Sequence, residues 1–413
     1  VFDIAIIGGG FSGTALLCHL PKNLSVAILE PGKFGRGLAY GVNSPYVILN
    51  VPASRMSLYQ NDPDSFLKWL DSRNVTDTSF VSRKLYGEYL SDQLSNRTFE
   101  LFKETAYLLE KKTFGFLINN YIKAKHVVIA TGNSENTIIK GENIIPISRL
   151  LDGEKIDLSV KRISIIGSSL SAHDAIIELR SRGFIGELLI ISRHGLTPKI
   201  HPPTFKHSDP TEITFSSLLE CIKYIRKESK RTSDWIQVLD SFRVITPLIW
   251  QRFSLKEKEY FLKRVKTYWD IHRHRIPPIN HKFKIKKGTV INSSHEHGKV
   301  KIHLKSGEEI LSEYVVDASG ISWEEKNPFI VGLFKSGIAK PSFKLGGIVT
   351  DKLGRVIDNM GSNHLNLFAL GPVRRGDLLE TTAVREIREQ AFNLANFFDQ
   401  HYQMHSHSLQ ERI

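Results

Sequence analysis

The chain opens on a short apolar run, Asp3-Ile4-Ala5-Ile6-Ile7, then three glycines, then an apolar stretch from Thr14 to Leu20. A run this short, bounded by glycine, reads as a strand buried on both faces, and the stretch beyond it as a helix. A second run, Ser25-Val26-Ala27-Ile28-Leu29, ends at Glu30. The order strand, glycine turn, helix, strand, acid is complete within 30 residues. It returns from Arg162, where Ile163-Ser164-Ile165-Ile166 precedes a turn, a helical stretch to about Arg182 and the run Glu187-Leu188-Leu189-Ile190-Ile191. Each copy has a later strand ending in small residues, at Lys125–Gly132 and at Glu313–Gly320. The span 201–282 differs, with few glycines and apolar positions at helical spacing (Leu218, Leu219, Ile222, Ile225).

The pattern predicts an α/β protein of two Rossmann-like dinucleotide-binding domains, the second inserted into the first, plus a helical insert. The expected boundaries are 1–155 with 321–413 for the first domain and 156–320 for the second, the insert occupying about 201–282. A strand at Asn366–Leu370 and a helix from about Leu379 to Gln400 are expected to close the first domain.

The glycines give the turns a chemistry. Gly8, Gly10 and Gly13 form G-x-G-x-x-G in its full strand-to-helix context. Gly8 permits the tight turn, Gly10 lets backbone approach a pyrophosphate, and Gly13 lets the helix pack on the sheet. Free N–H groups at the helix start, Phe11 and Ser12, suit phosphates. Glu30 stands where a carboxylate accepts from a ribose hydroxyl pair. Thr131 and Gly132, in the small-residue turn, are further candidates. The second copy reads Gly167-Ser168-Ser169-Leu170-Ser171-Ala172, a degraded fingerprint with a side chain at Ser169. Its second strand ends in Ser192-Arg193-His194 rather than in an acid. Arg193 there suits a 2′-phosphate, hence NADPH, with NADH the alternative. Two such units in one chain suggest FAD in the first and a nicotinamide cofactor in the second, brought face to face across a cleft.

Composition narrows the classes. The 413 residues are 41% hydrophobic and 24% charged, ordinary for a folded protein and unlike a disordered or collagen-like chain. No run of 18 apolar residues exists, so no membrane insertion is expected, and the N-terminus reads as strand and turn rather than as a signal peptide. Two cysteines, Cys18 and Cys221, build neither a disulfide framework, a C-x-x-C dithiol nor a cysteine zinc site, and the expected compartment is cytoplasmic. No metal site is expected. Net charge is +13, and 201–282 carries 16 Lys and Arg against 9 Asp and Glu. No zinc-finger or RNP signature accompanies the charge, so no nucleic acid partner is expected.

Several further segments carry a resemblance: Gly35-Arg36-Gly37-Leu38-Ala39-Tyr40-Gly41, Leu49-Asn50-Val51-Pro52-Ala53, Tyr86-Gly87-Glu88-Tyr89-Leu90, Trp269-Asp270-Ile271-His272-Arg273-His274-Arg275, Leu370-Gly371-Pro372 and Glu380-Thr381-Thr382-Ala383-Val384. With these the chain, from about residue 1 to 395, resembles the FAD/NAD(P)-binding flavoprotein family that includes FAD-dependent urate hydroxylases and aspartate N-hydroxylases. The resemblance implies an NAD(P)H-using monooxygenase that works through a flavin C4a-(hydro)peroxide on a small, anionic, nitrogen-containing substrate, with O2 as co-substrate. The flavin would carry the chemistry, so no triad or metal is required. Arg36 becomes a candidate for pyrophosphate or substrate, and Asn50 for the flavin or the reactive oxygen. Arg273 and Arg275 are candidates for binding an anionic substrate, since guanidinium pairs bidentately with carboxylates; structural salt bridges are the other reading. Gly371, Thr381 and Thr382 would present a helix N-terminus to reduced flavin. Two other readings stand beside the monooxygenase: a flavin oxidoreductase or oxidase without oxygen insertion, and a non-catalytic FAD-binding regulatory protein.

Overall fold

The computed structural model describes residues 1–410 except 134–135, 203–213, 279–280, 321–325 and 343, with side chains through residue 404. An eight-stranded sheet runs in the order Arg355–Ile357, Asn363–Ala369, Ile122–Ile129, Phe2–Ile7, Val26–Leu29, Glu100–Phe102. All neighbours along it are parallel except the edge strand Arg355–Ile357. The hairpin Leu109–Lys112 and Gly115–Ile118 adds antiparallel to the start of Ile122–Ile129. The strand Phe2–Ile7 lies at the centre, and both its faces are covered. Ile4 and Ile6 pack with Leu16 and with Ile387, Ala391 and Leu394 of the long helix Val384–Gln410. Ala5 and Ile7 pack with Phe116, Phe329 and Leu367 on the other face. That is why this strand is continuously apolar instead of alternating.

The second sheet is wholly parallel, in the order Lys284–Lys287, Glu187–Ser192, Arg162–Ile166, Tyr314–Asp317, Ile144–Pro146. Its edge strand Ile144–Pro146 belongs to it although it precedes residue 156, the boundary expected from the sequence. The helix Leu170–Ser181 buries Ala172, Ala175, Ile176 and Leu179 against Ile163 and Ile165. A third, antiparallel sheet of Val290–Glu296, Lys299–Leu304 and Glu309–Ser312 has no counterpart in the sequence reading. Its middle strand alternates, Val300, Ile302 and Leu304 being buried.

Among the described residues, the insert is helical from Leu218 to Arg273. It forms its own core around Phe242, Trp250 and Phe261. Two bidentate ion pairs tie it to the segment before and within the long C-terminal helix. Arg273 Nε and Nη2 donate to Glu380 at 3.0 and 3.1 Å, and Arg243 Nε and Nη2 donate to Glu386 at 2.7 and 3.1 Å. Trp250 Nε1 also donates to the Gly376 carbonyl at 2.9 Å. Elsewhere Arg83 pairs with Asp174 at 2.9 Å, and Ser44 donates to Glu178, joining the first sheet's helical layer to the helix Leu170–Ser181.

Candidate dinucleotide site

The glycine turn after Phe2–Ile7 shows why side chains are missing there. Gly8 has φ +107°, and a Cβ on it would lie 2.4 Å from the Ala130 carbonyl oxygen. A Cβ on Gly13 would lie 2.1 Å from the Gly8 carbonyl oxygen, so the helix Phe11–His19 rests directly on the turn. Gly10 differs from expectation. The neighbour facing its Cα is Gly37, at 3.4 Å from a built Cβ. The 35–41 loop is therefore folded down onto the turn, held by Gly35 N–H donating to the Gly9 carbonyl at 2.8 Å and by Thr14 Oγ1 donating to the Gly35 carbonyl at 3.2 Å.

A cleft of about 540 Å3 follows this turn. Gly8, Gly10, Phe11, Ser12, Glu30, Arg36, Thr131, Gly132 and Thr382 all line it. Both Glu30 oxygens already accept a backbone N–H, Oε2 from Gly9 and Oε1 from Gly32, each at 2.8 Å. The carboxylate thus closes the turn as well as facing the cleft, and each oxygen retains a lone pair for a hydroxyl. Arg36 Nε donates to Ser91 Oγ at 2.9 Å, which aims the rest of the guanidinium. Phe11 meets Tyr40 edge-to-face at 5.8 Å. The Asn133 side-chain oxygen, in the cleft wall, is buried and has no hydrogen-bond partner among the described residues. A buried acceptor left unpaired costs about 1–3 kcal/mol, so the wall is built to receive a donor. A glycine floor, a carboxylate and an orphan acceptor suit a dinucleotide.

The second turn repeats the first. Gly167 has φ +105°, and its Cβ would lie 2.2 Å from the Ala318 carbonyl oxygen, as Gly8 meets Ala130. Ser168, Ser169, Arg193 and His194 line a smaller cavity of about 200 Å3 at this turn. Ser169 is the exposed N-cap of the helix that Leu170 opens, and its side chain caps nothing. Ser168 Oγ instead donates to the Leu196 carbonyl at 2.6 Å. Arg193 is exposed at the strand end, with no ion pair among the described residues.

Residues 5–134 match a family model described as FAD-NAD(P)-binding. The fold is similar to that of the ornithine N-hydroxylase of Kutzneria sp. 744, solved with reduced FAD, NADP+ and L-ornithine (TM-score 0.64, 13% identity, 97% of this chain and 100% of that one). It is similar to L-lysine 6-monooxygenase from Pseudomonas syringae (TM-score 0.60, 16% identity, 97% and 99%). It is also similar to the thioredoxin reductase of T. acidophilum (TM-score 0.52, 16% identity, 95% and 96%). No curated protein matches the chain. These likenesses establish the α/β two-sheet architecture expected from the sequence. The reductase likeness does not extend to a dithiol centre, since Cys18 and Cys221 are both buried and desolvation pushes each thiol up to about 12.

Several candidates lie elsewhere than expected. Asn50 does not line the cleft; its backbone carbonyl accepts from His201 Nε2 at 2.8 Å. The Arg273 fork is filled by Glu380, and Arg275 Nη2 donates to both oxygens of Asp240 at 2.7 and 2.8 Å. Arg273 is thereby a joint between the insert and the C-terminal segment, whereas Arg275 pairs within the insert, its Nε and Nη1 buried without a partner among the described residues. The expected helix near Leu379 starts instead at Val384. Leu379 has φ +58° and ψ −61°, and Glu380 N–H donates back to the Leu378 carbonyl at 2.7 Å. This is a γ-turn of the strained, positive-φ kind, incompatible with helix. Glu380 is committed to Arg273, and Asp377 accepts from Thr350 N–H and Oγ1 at 2.7 and 2.9 Å.

Thr381 is fully buried, donating to the Gly371 carbonyl at 2.9 Å and accepting from Gln390 Nε2 at 2.8 Å. Gln390 Oε1 in turn accepts from Gly371 N–H at 3.1 Å. This closed triangle holds Gly371 against Ser12, where a Cβ would lie 2.3 Å from Ser12 Oγ. Gln390 was missed because it belongs to the polar stripe of a long helix, and only the fold turns it toward Gly371.

Proposed function

We propose that the chain is an FAD-dependent, NAD(P)H-using oxidoreductase of the monooxygenase kind, acting on a small nitrogen-bearing substrate. One observation carries the reading: two glycine turns of the same construction, Gly8 against Ala130 and Gly167 against Ala318, in one chain, each opening onto its own cavity. A dinucleotide cofactor held at each would place a hydride donor and a hydride acceptor in one chain. Bound FAD would supply hydride acceptance and oxygen activation.

The residues supply the rest. Gly8, Gly10 and the N–H groups at Phe11 and Ser12 cradle the pyrophosphate, and Gly13 seats the helix on the turn. Glu30 holds the ribose, and Arg36, steadied by Ser91, neutralises phosphate charge. Thr131, Gly132 and Thr382 close the wall, and Gly371, kept in place by Thr381 and Gln390, backs Ser12. At the second site Gly167, Ser169 and Leu170 present the helix start, and Arg193 takes the 2′-phosphate of NADPH. The two domains divide as the two sheets do, with 321–413 returning to the first. The amine-bearing substrates named for the Kutzneria and Pseudomonas proteins support a nitrogen-bearing substrate here.

The test is an anaerobic titration of FAD-loaded protein with NADPH and NADH, followed by O2 uptake with amino acids, diamines and urate. Flavin bleaching that prefers NADPH, with oxygen incorporated into one substrate, is expected. Bleaching with hydrogen peroxide as the product for every substrate would move the reading to an oxidase. Retention of FAD with no reduction by either nucleotide, substrates present, would leave a non-catalytic flavoprotein.

A further inference from the structure

Apart from the two clefts, the insert encloses a cavity of about 870 Å3. Ligand pockets commonly run to 300–1,000 Å3. Its floor is apolar and aromatic, with Phe242, Trp250 and Phe261 all buried. One wall is the apolar face of the helix Leu218–Thr232, on which Leu218, Cys221, Ile222 and Ile225 recur at helical spacing. That face is incompletely covered. Leu219, Tyr260 and Tyr268 at the mouth are 61, 58 and 58% exposed.

The mouth is also strongly cationic. Arg226, Lys230, Lys256 and Arg264 line it, all exposed and none paired to a carboxylate among the described residues. Among the described residues Glu257 is the one acid in the lining, and both its oxygens are occupied. Its Oε1 accepts from Leu218 N–H at 2.9 Å, and its Oε2 accepts from Ser254 N–H and Oγ at 2.9 and 2.8 Å. The cavity therefore offers an apolar interior beneath four cations. The same arrangement disfavours a second copy as its cover, because a two-fold contact would bring the four cations onto themselves. The cavity is distinct from the dinucleotide cleft: Leu379 lines the one and Thr382 the other, with the sealed Thr381 between.

We propose that this cavity binds an amphipathic anion of the fatty-acyl carboxylate class, its chain among the aromatics and its head at the cationic mouth. The experiment uses the full-length protein and dodecanoate below its micellar range. Trp235, Trp250 and Trp269 line the cavity, three of the chain's five tryptophans, so their emission reports occupancy without flavin or turnover. A saturable change with dodecanoate is expected. Dodecanol should bind about tenfold more weakly, since each lost 1.4 kcal/mol is a factor of ten, and dodecyltrimethylammonium should not bind.

Lys230→Glu with Arg264→Glu, both at exposed positions, should weaken dodecanoate by about tenfold or more and spare dodecanol. No saturable response, or equal responses to all three heads, overturns the proposal. A sedimenting dimer that Leu219→Glu splits, with dodecanoate silent, would give the cavity to a second copy and overturn it equally.

Discussion

Replacing Glu380 with glutamine removes a charge and almost no volume from the joint between the insert and the rest of the chain. Both side chains of the Arg273–Glu380 pair are 7% exposed. Burial alone would lower the Arg273 pKa, but Glu380, and then Glu386, outweigh it and hold the pKa above its ordinary value. Glu380 Oε1 also accepts from Trp269 Nε1 at 3.1 Å, a bond that an amide oxygen can keep. The variant therefore leaves a buried guanidinium without its principal counter-charge, Glu386 remaining nearby. Breaking such a pair from one side costs about 3–5 kcal/mol, and the nearby Glu386 points to the lower end. At roughly 2–4 °C per kcal/mol for a unit of 150–250 residues, the melting midpoint should fall by about 6–12 °C.

Arg273→Met added to Glu380→Gln removes the uncompensated charge, keeps an amide acceptor for Trp269 Nε1, and should recover most of the loss. Urea and thermal melts followed by tryptophan emission read both variants. A midpoint within about 2 °C of the parent for Glu380→Gln, or a double variant no better than the single one, would refute the reasoning. A double variant that melts like the parent but loses substrate affinity would return Arg273 to the substrate.

Three further outcomes are expected. Gly13→Ala should destabilise the protein by about 1–3 kcal/mol or more, since its Cβ meets the Gly8 carbonyl at 2.1 Å, whereas Gly10→Ala should melt close to the parent and Gly10→Val should lose FAD by lifting the 35–41 loop; comparable melting of the two alanine variants would contradict the geometry. Arg193→Ala should raise KM for NADPH by about tenfold to a hundredfold with KM for NADH unchanged, and equal effects on both would remove the 2′-phosphate role. His173 is buried and desolvation pushes its pKa down to about 4, so between pH 6.5 and 4 the unfolded chain takes up its proton first. Stability is then full above pH 6.5 and lost as pH falls toward 4. His173→Leu should recover about 2–3 kcal/mol at pH 4.5 relative to pH 7, and an unchanged pH slope in urea melts would show the imidazole to be solvated.

Local pattern was enough where one short segment dictates its own backbone. The run Ile4–Ile7, the glycines at 8 and 13 and the acid at 30 specify strand, turn and helix without help, because backbone that leaves no room for Cβ admits only glycine. The repeat of that grammar from Arg162 made the second sheet legible as well. The three-stranded sheet at 290–312 escaped notice because Val290–Glu296 buries no residue and Glu309–Ser312 is four residues long, burying one apolar side chain, Ile310, beside the polar Ser312.

What the sequence by itself determined is the two-unit α/β architecture and the residues that floor each glycine turn. Tertiary structure alone decided the rest of the site: that Gly10 faces Gly37, that Glu30 closes its own turn, that Gln390 secures Gly371, and that Glu380 reaches Arg273 across 107 positions. The reason is physical. Backbone conformation follows from near neighbours, whereas the use of an arginine or a carboxylate depends on which opposite charge the packed chain leaves within about 3 Å of it, and spacing along the sequence carries no record of that.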